Sequence, residues 1–141
     1  FREAAGDAHL KTILGTGNLV SFSNVARASL VAMMAGADFI KTSTGKEGIN
    51  ANLPVSLVML RAIREFHQRT GTMVGFKPAG GIRAARDAIS YLILMREELG
   101  FPWLNAHYFR IGASGLLGDI SRQLEHYLSG RYSASHRHPM G

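Results

Sequence analysis

The stretch ADFIKTSTGKEG, residues 37–48, begins like a buried strand and ends like a glycine-containing turn. Its apolar residues end at Ile40, and Lys41 follows at a place where another apolar side chain would be expected. A charged group at the end of a buried strand costs desolvation free energy unless it pairs with another group or reaches water. Such a residue is therefore a candidate for a functional role. The stretch therefore predicts a strand with a functional residue at its carboxyl end.

The same arrangement recurs four times along the chain. Apolar, β-rich runs lead into turns in HLKTILGTG, ADFIKTSTG, TMVGFKPAGG and HYFRIGASG. The basic residues of these runs are separated by 30, 36 and 33 positions, and they are Lys11, Lys41, Lys77 and Arg110. A spacing in this range, with one strand and one helix in each repeat, is typical of repeated β–α units.

Helical patterns fill the intervals between the four runs. The clearest one follows Pro54, carries its apolar residues on one face and closes towards Gly71. The other three helices are expected at about residues 24–35, 85–99 and 117–128. Strands that alternate with helices of this length imply a parallel sheet covered by helices.

Two α/β architectures compete for this pattern. A doubly wound open sheet usually carries a glycine-rich fingerprint, but the chain has no G-x-G-x-x-G, and Gly45-Lys46 is followed by Glu47 rather than by the Ser or Thr of a P-loop. In a (β/α)₈ barrel every strand can carry functional residues at its carboxyl end, and a full barrel needs about 250 residues. We therefore predict an α/β fold of the TIM-barrel family with about four β–α units over residues 1–129.

Composition predicts a soluble globular protein with an anionic partner. The chain of 141 residues is 46% hydrophobic and carries 16 Lys and Arg against 10 Asp and Glu, a net charge of +6. Phosphorylated metabolites, nucleic acid and acidic surfaces all fit this charge. The absence of cysteine excludes disulfides, thiolate nucleophiles and Cys-ligated metals, and it fits a cytoplasmic protein. No apolar run is long enough for a bilayer and no signal-peptide pattern is present, so we expect no membrane association.

Two further groups of residues have simpler interpretations than a binding site. The basic helix face with Arg61, Arg64 and Arg69 is more typical of a solvated surface than of a nucleic-acid patch. His136 and His138 lie in a polar tail, residues 130–141, and two histidines alone are a weak metal-ligand pattern. We therefore predict neither nucleic-acid binding nor a metal site.

Lys41 and Lys77 occupy matching places at the ends of consecutive predicted strands. Adjacent strands lie about 4.8 Å apart, so two inward-facing ammonium groups would lie close together. Mutual repulsion and partial desolvation lower a lysine pKa and leave a usable fraction of neutral amine. A neutral amine can attack a carbonyl to form a Schiff base, which then withdraws electrons during C–C bond making or breaking.

Alternatively, the lysines point outward along the sheet end and only bind anions. Their matching positions favour the Schiff-base interpretation. Two further residues are expected to line the same pocket, Lys11 and Thr42.

Three glycine-containing turns follow the strands and offer phosphate contacts. Glycine lets backbone N–H groups approach an anion, and the last two turns lead into helix N-termini, which favour negative charge. The final strands of a barrel are a frequent location for such a site. The candidate residues are Gly45, Lys46, Gly80, Gly81, Ile82, Arg83, Gly112 and Ser114.

The motifs DFIKTSTGK, GFKPAGGIR and RIGAS, in this order and spacing, resemble the deoxyribose-phosphate aldolase family. The resemblance extends from His9 to about Tyr132 and implies a class I aldolase on a (β/α)₈ barrel. HLKTILGTGNL resembles the fifth strand of that barrel, so the four runs would be strands five to eight. The resemblance implies that Lys41 forms the Schiff base and that Lys77 contributes pKa lowering and proton transfer.

The resemblance also assigns the eight turn residues above to the phosphate of the substrate. The implied reaction is the reversible cleavage of 2-deoxy-D-ribose 5-phosphate to D-glyceraldehyde 3-phosphate and acetaldehyde, within deoxynucleoside breakdown. It needs no metal and no organic cofactor. The implied partners are the phosphorylated sugar and either a second copy of the chain or the missing half of the barrel.

Three features depart from the family pattern. Gly115 stands where the family usually has a second small hydroxylated residue. The family's catalytic aspartate comes from an earlier strand, and none of the four aspartates here matches it. Tyr132 is a poor match for the C-terminal tyrosine of some bacterial members, because nine residues follow it.

We therefore expect an aldolase whose isolated fragment is weak or inactive. The alternative from another class is a catalytically silent phosphate-binding or assembly fragment, whose sheet edges recruit another half-barrel. A basic nucleic-acid binder is the third hypothesis.

Overall fold

The computed structural model describes residues 1–137 and shows an α/β arrangement. Its strands are β1, Lys11–Ile13; β2, Phe39–Lys41; and β3, Gly75–Lys77. Its α-helices are α1, Arg2–Ala5; α2, Phe22–Met34; α3, Leu53–Thr70; α4, Ala85–Leu99; and α5, Leu116–Ser129. Short 3₁₀ turns lie at Thr16–Asn18, Phe101–Trp103 and Ser135–Arg137. The helices predicted from periodicity are all observed, with bounds that differ by at most two residues.

The three strands form one parallel sheet in the order β1-β2-β3. Phe39 is in register with Lys11 on one side and Gly75 on the other, and Lys41 is in register with Lys77. The helices between the strands make this parallel arrangement possible, because parallel neighbours need a long crossover connection.

The prediction of a fourth strand is wrong in one respect. The run HYFRIGASG lies parallel to β3, but it pairs with it only through two isolated bridges, Phe76 with Phe109 and Ala79 with Gly112. Pro78 lies between these bridges and has no N–H to donate to the neighbouring run. The ladder therefore loses one hydrogen bond at this position, and no continuous strand forms.

Capping residues explain where the longest helix begins and ends. The Asn52 side chain accepts a hydrogen bond from the Val55 N–H, and Pro54 lies in the first turn, where its missing N–H costs nothing. The helix ends at Gly71, whose φ of 74° is the left-handed conformation that glycine adopts without strain.

The core lies between the sheet and the helices. Ile40 and Phe76 are completely buried on the helix-facing side of β2 and β3. They belong to one apolar cluster with Met59 and Ile63 of α3 and Met95 of α4. Because residues alternate along a strand, burial of these two side chains directs their neighbours Lys41 and Lys77 to the opposite face.

The basic helix face predicted to be a solvated surface is partly engaged in ion pairs. Arg64 lies 2.7 Å and Arg61 lies 3.5 Å from the same carboxylate oxygen of Glu98 on α4. These contacts join α3 to α4.

None of the helices in the described part of the chain combines the length and the apolar character that crossing a bilayer requires.

Candidate active site

One face of the sheet collects the basic residues of all four runs. Register and alternation place Lys11, Phe39, Lys41 and Lys77 on this face. The bridge between Phe76 and Phe109 puts Arg110 in register with Lys77. The predicted match of Lys41 and Lys77 on adjacent strands is therefore observed, and Lys11 shares their face as expected.

Phe39 holds two of these cations in place. The Lys11 Nζ lies 5.7 Å and the Arg110 Cζ lies 4.6 Å from the centre of its ring, both within cation–π range. The ring lies directly over Gly75, where an added Cβ would overlap it. Phe39 as a whole is only 1% exposed, and the two cations and the neighbouring strand lie against its ring.

Lys77 is surrounded by positive charge. Its pKa is lowered from the ordinary lysine value, first by desolvation and then by repulsion from Lys11, Lys41 and Arg110. Within residues 1–137 no acidic side chain forms an ion pair with any of these four cations. The Lys77 amine therefore loses its proton more readily than an ordinary lysine.

A pocket of about 330 Å³ lies at the carboxyl ends of β2, β3 and the fourth run. It brings together all eight residues that the sequence suggested for phosphate: Gly45, Lys46, Gly80, Gly81, Ile82, Arg83, Gly112 and Ser114. The pocket is also lined by Ala113, which lies in the third suggested turn, and by Thr44, which sequence reasoning missed. An added Cβ on Gly112 would lie 3.2 Å from the Lys77 Cε, so the lysine side chain passes beside this pocket.

The backbone of the pocket suits an anion. Gly80 and Gly81 have φ values of 87° and 84°, which lie in the left-handed region that favours glycine. In the described part of the chain the N–H groups of Gly81, Ile82 and Ser114 have no hydrogen-bond acceptor. Unpaired N–H groups close to helix N-termini, with Lys46 and Arg83 in the same pocket, can bind a phosphate.

Thr42, which the sequence predicts to line the pocket, is not among the residues that line it. It is completely buried, and its hydroxyl accepts the Ala79 N–H at 2.9 Å and donates to the Ala79 carbonyl at 3.3 Å. It therefore joins the ends of β2 and β3 beneath the pocket and does not line it.

Three of the four aspartates have partners in the backbone. Asp38 accepts the Leu10 N–H at 2.7 Å, and Asp119 accepts the Ala85 N–H at 2.7 Å. Asp87 accepts the N–H of Ala84 at 3.3 Å. Each of these three carboxylates is therefore held by a backbone donor.

None of the described tail residues, 130–137, lines the pocket. The ring of Tyr132 stacks on His126 of α5, with 4.1 Å between the ring centres. Within residues 1–137 no group of three or more His, Cys, Asp or Glu side chains could hold a metal ion. His138, one half of the histidine pair, lies outside the described residues.

Comparison with known proteins defines the class. The family model described as "DeoC/LacD family aldolase" matches residues 1–101, and the chain belongs to this family of aldolases. The matched segment contains Lys41 and Lys77 but ends before Gly112.

The curated relatives are more specific. Deoxyribose-phosphate aldolase from Mus musculus is 64% identical over 140 residues, and the Homo sapiens protein of the same name is 61% identical. The match covers 99% of this chain but only 44% of each relative. The chain thus spans less than half the length of the enzymes that it resembles.

Solved structures agree with the observed fold. A Toxoplasma gondii protein assigned as a deoxyribose-phosphate aldolase superposes with a TM-score of 0.77 over 96% of this chain and 51% of its own, at 23% identity. A Coccidioides immitis protein with the same assignment gives a TM-score of 0.67 at 28% identity, over 87% of this chain and 42% of its own.

Proposed function

We propose that the protein containing this chain cleaves 2-deoxy-D-ribose 5-phosphate to D-glyceraldehyde 3-phosphate and acetaldehyde, through a Schiff base on Lys41. The observation that carries the proposal is the pairing of Lys41 with Lys77 in register on adjacent strands, beside a basic pocket lined by glycines. The names of the curated relatives support the same substrate.

The lysine pair provides the chemistry. The amine of Lys41 attacks the C1 carbonyl of the open-chain sugar, and loss of water leaves an iminium. Removal of the proton from the C3 hydroxyl releases the electrons of the C2–C3 bond into the iminium, which becomes an enamine as glyceraldehyde 3-phosphate departs. The enamine is then protonated at C2, and hydrolysis frees acetaldehyde and the lysine.

Lys77 is suited to the proton transfers of this cycle. Its lowered pKa lets it both accept and donate a proton nearer to neutral pH than an ordinary lysine. Its side chain lies beside Gly112 of the pocket, and it is in register with Lys41 on the neighbouring strand. The family's aspartate would come from a part of the protein that this chain does not contain.

The pocket supplies substrate binding. Lys46 and Arg83 bring positive charge, and the unpaired N–H groups of Gly81, Ile82 and Ser114 provide directed donors. Gly115 provides no side-chain hydroxyl, so backbone or water makes the corresponding contact. No nucleic acid, metal or organic cofactor enters this scheme.

The chain supplies only part of the catalytic unit in this proposal. Residues 1–129 form half of a TIM barrel and correspond to its strands five to eight, and the protein acts in the cytoplasm. The chain alone is weak or inactive until a second copy or the rest of the barrel associates with it. A catalytically silent phosphate-binding or assembly fragment is the second candidate, because the chain covers only 44% of its curated relatives.

Turnover tests the proposal directly. We define the chimaera as the mouse relative in which this chain replaces the 140 matched residues. The chimaera should release glyceraldehyde 3-phosphate from 2-deoxy-D-ribose 5-phosphate, and Lys41→Met should reduce the rate by at least about a thousandfold because covalent catalysis is lost.

Lys11→Met is the matched control, since Lys11 lies on the same face but outside the lysine pair. It should retain a much larger fraction of the rate than Lys41→Met. Equal rates for the Lys41→Met variant and the unsubstituted chimaera would exclude Lys41 as the nucleophile.

A further inference from the structure

One asparagine side chain closes the loop that follows β2. The Asn50 Oδ1 accepts the Ser43 hydroxyl at 2.9 Å and the Glu47 N–H at 3.4 Å. Its Nδ2 donates to the Glu47 carbonyl at 2.6 Å. The pocket residues Gly45 and Lys46 lie inside the segment that these three bonds close. The Glu47 carboxylate also accepts the Thr44 N–H at 2.9 Å, so the side chains of Asn50 and Glu47 together hold this segment.

The same side chain reaches the turn that follows β3. The completely buried Ser43 hydroxyl lies 2.8 Å from the Ala79 carbonyl, so it can donate to either Asn50 or Ala79. A Cβ added to Gly80 would lie 2.6 Å from the Asn50 Cβ. Asn50 thus packs directly against the backbone of the second pocket turn.

We propose that Asn50 is a positioning residue of the phosphate pocket, which acts through Ser43 and Glu47 to hold the loop after β2 against the turn after β3. Asn50 is not among the residues that line the pocket, so it acts without touching the ligand. This inference rests on the function proposed above and assigns the pocket to the phosphate of the substrate.

The physical reason is that donors from two loops must reach the same phosphate. Donors from two separate loops bind one phosphate well only if both loops are held in place before the ligand arrives. Lys46 comes from one loop, and the unpaired N–H groups of Gly81 and Ile82 come from the other. Loss of Asn50 should let the loops separate and weaken phosphate recognition, with no direct effect on the lysine pair.

The test compares two substrates in the chimaera. For Asn50→Ala, KM for 2-deoxy-D-ribose 5-phosphate should rise roughly three- to tenfold, the range expected when one or two net hydrogen bonds are lost. The kcat should change by less than about twofold. For unphosphorylated 2-deoxy-D-ribose, kcat/KM should stay the same, because that substrate does not use the pocket.

Asn105→Ala is the matched control. Its Nδ2 donates to the Pro102 carbonyl at 2.8 Å and its Oδ1 accepts the His107 N–H at 2.9 Å, so it also closes a loop with two side-chain bonds. That loop precedes the fourth run and contributes nothing to the pocket. The variant should lose comparable stability but keep its KM for the phosphorylated sugar.

A second variant tests whether Asn50 acts on the pocket through Ser43. Ser43→Ala should raise the same KM, and the double variant should show less than the product of the two increases, because both substitutions break one network. Equal losses on both substrates, or an unchanged KM in Asn50→Ala, would overturn the assignment.

Failure of the proposed function can be told apart from failure of this inference. If the unsubstituted chimaera cleaves neither sugar, the aldolase proposal fails, and titration of the 141-residue chain with inorganic phosphate tests Asn50 separately. Roughly three- to tenfold weaker phosphate binding by Asn50→Ala supports the positioning role. Equal phosphate binding by the unsubstituted chain and the Asn50→Ala variant contradicts this role, and so does the absence of phosphate binding by either of them.

Discussion

The pKa of Lys77 is lowered by its surroundings. Desolvation is the largest cause, and repulsion from Lys11, Lys41 and Arg110 acts in the same direction. The pKa of Lys77 therefore lies below the ordinary lysine value of 10.5. The neighbouring lysine could be predicted from the sequence, because two strand ends matched. The role of Arg110 could not, since its approach to Phe39 depends on how the fourth run lies beside β3.

The lowered pKa of Lys77 predicts a pH-dependent stability. A group with a lower pKa in the folded state binds fewer protons there than in the unfolded state, so stability rises with pH between the two pKa values. Below the folded pKa the charged lysine is destabilising, and this penalty shrinks as pH rises and is lost above pH 10.5. Lys77→Met should therefore unfold at higher denaturant concentration than the unsubstituted chimaera at pH 7, by an amount that shrinks towards pH 10.5.

Urea unfolding over this pH range measures the effect. Lys46→Met is the reference, because Lys46 is exposed and lies in the loop after β2. If the stability that Lys77→Met gains over Lys46→Met is the same at every pH, then packing and not charge distinguishes the two variants.

At the scale of elements, the helices and most residues that line the pocket follow from the sequence, whereas the contacts that hold the pocket loops do not. Asn52, Pro54 and Gly71 mark the ends of α3, and apolar periodicity fixes its buried face. The glycine turns could be located from sequence, but the bonds of Asn50 to Ser43 and Glu47 join positions with no recognisable pattern. Loop geometry depends on tertiary contacts, which periodicity does not encode.

The two adjacent glycines after β3 allow a controlled test of the close approach to Asn50. Both have positive φ, but a Cβ on Gly80 would collide with Asn50, whereas a Cβ on Gly81 has no heavy atom within 4 Å. Gly81→Ala should cost about 1–3 kcal/mol of unfolding free energy from backbone strain alone. Gly80→Ala should cost more, because it adds the collision to the same strain.

Thermal or urea unfolding of the two variants in the chimaera measures the difference. If Gly80→Ala is no less stable than Gly81→Ala, then Asn50 does not pack tightly against this turn.

At the scale of the whole molecule, the sheet is open. The outer edge of β1 has no partner strand within residues 1–137, and α5 exposes Leu117, Leu124 and Leu128 by 75%, 58% and 83%. Unpaired strand edges and apolar surfaces favour association. The parallel α/β arrangement could be predicted from the four repeats, but the interruption of the fourth strand depends on where Pro78 falls in the register.

The open sheet predicts that the chain associates when it is alone. The 141-residue chain should elute from size-exclusion chromatography at a larger apparent mass than a compact monomer of 15.3 kDa, and it should show little or no aldolase turnover. The chimaera serves as the control, because its additional segment should cover the edge of β1. A compact monomer of the chain with full turnover would contradict the prediction.

The Schiff base on Lys41 is the central claim, and reductive trapping tests it most directly. The chain is incubated with acetaldehyde and borohydride and then digested for peptide mass mapping. We predict that one ethyl group replaces a hydrogen on the Lys41 amine, while the exposed Lys46 in the same loop stays unlabelled. Labelling of Lys77 in preference to Lys41, or equal labelling of all lysines, would contradict the account.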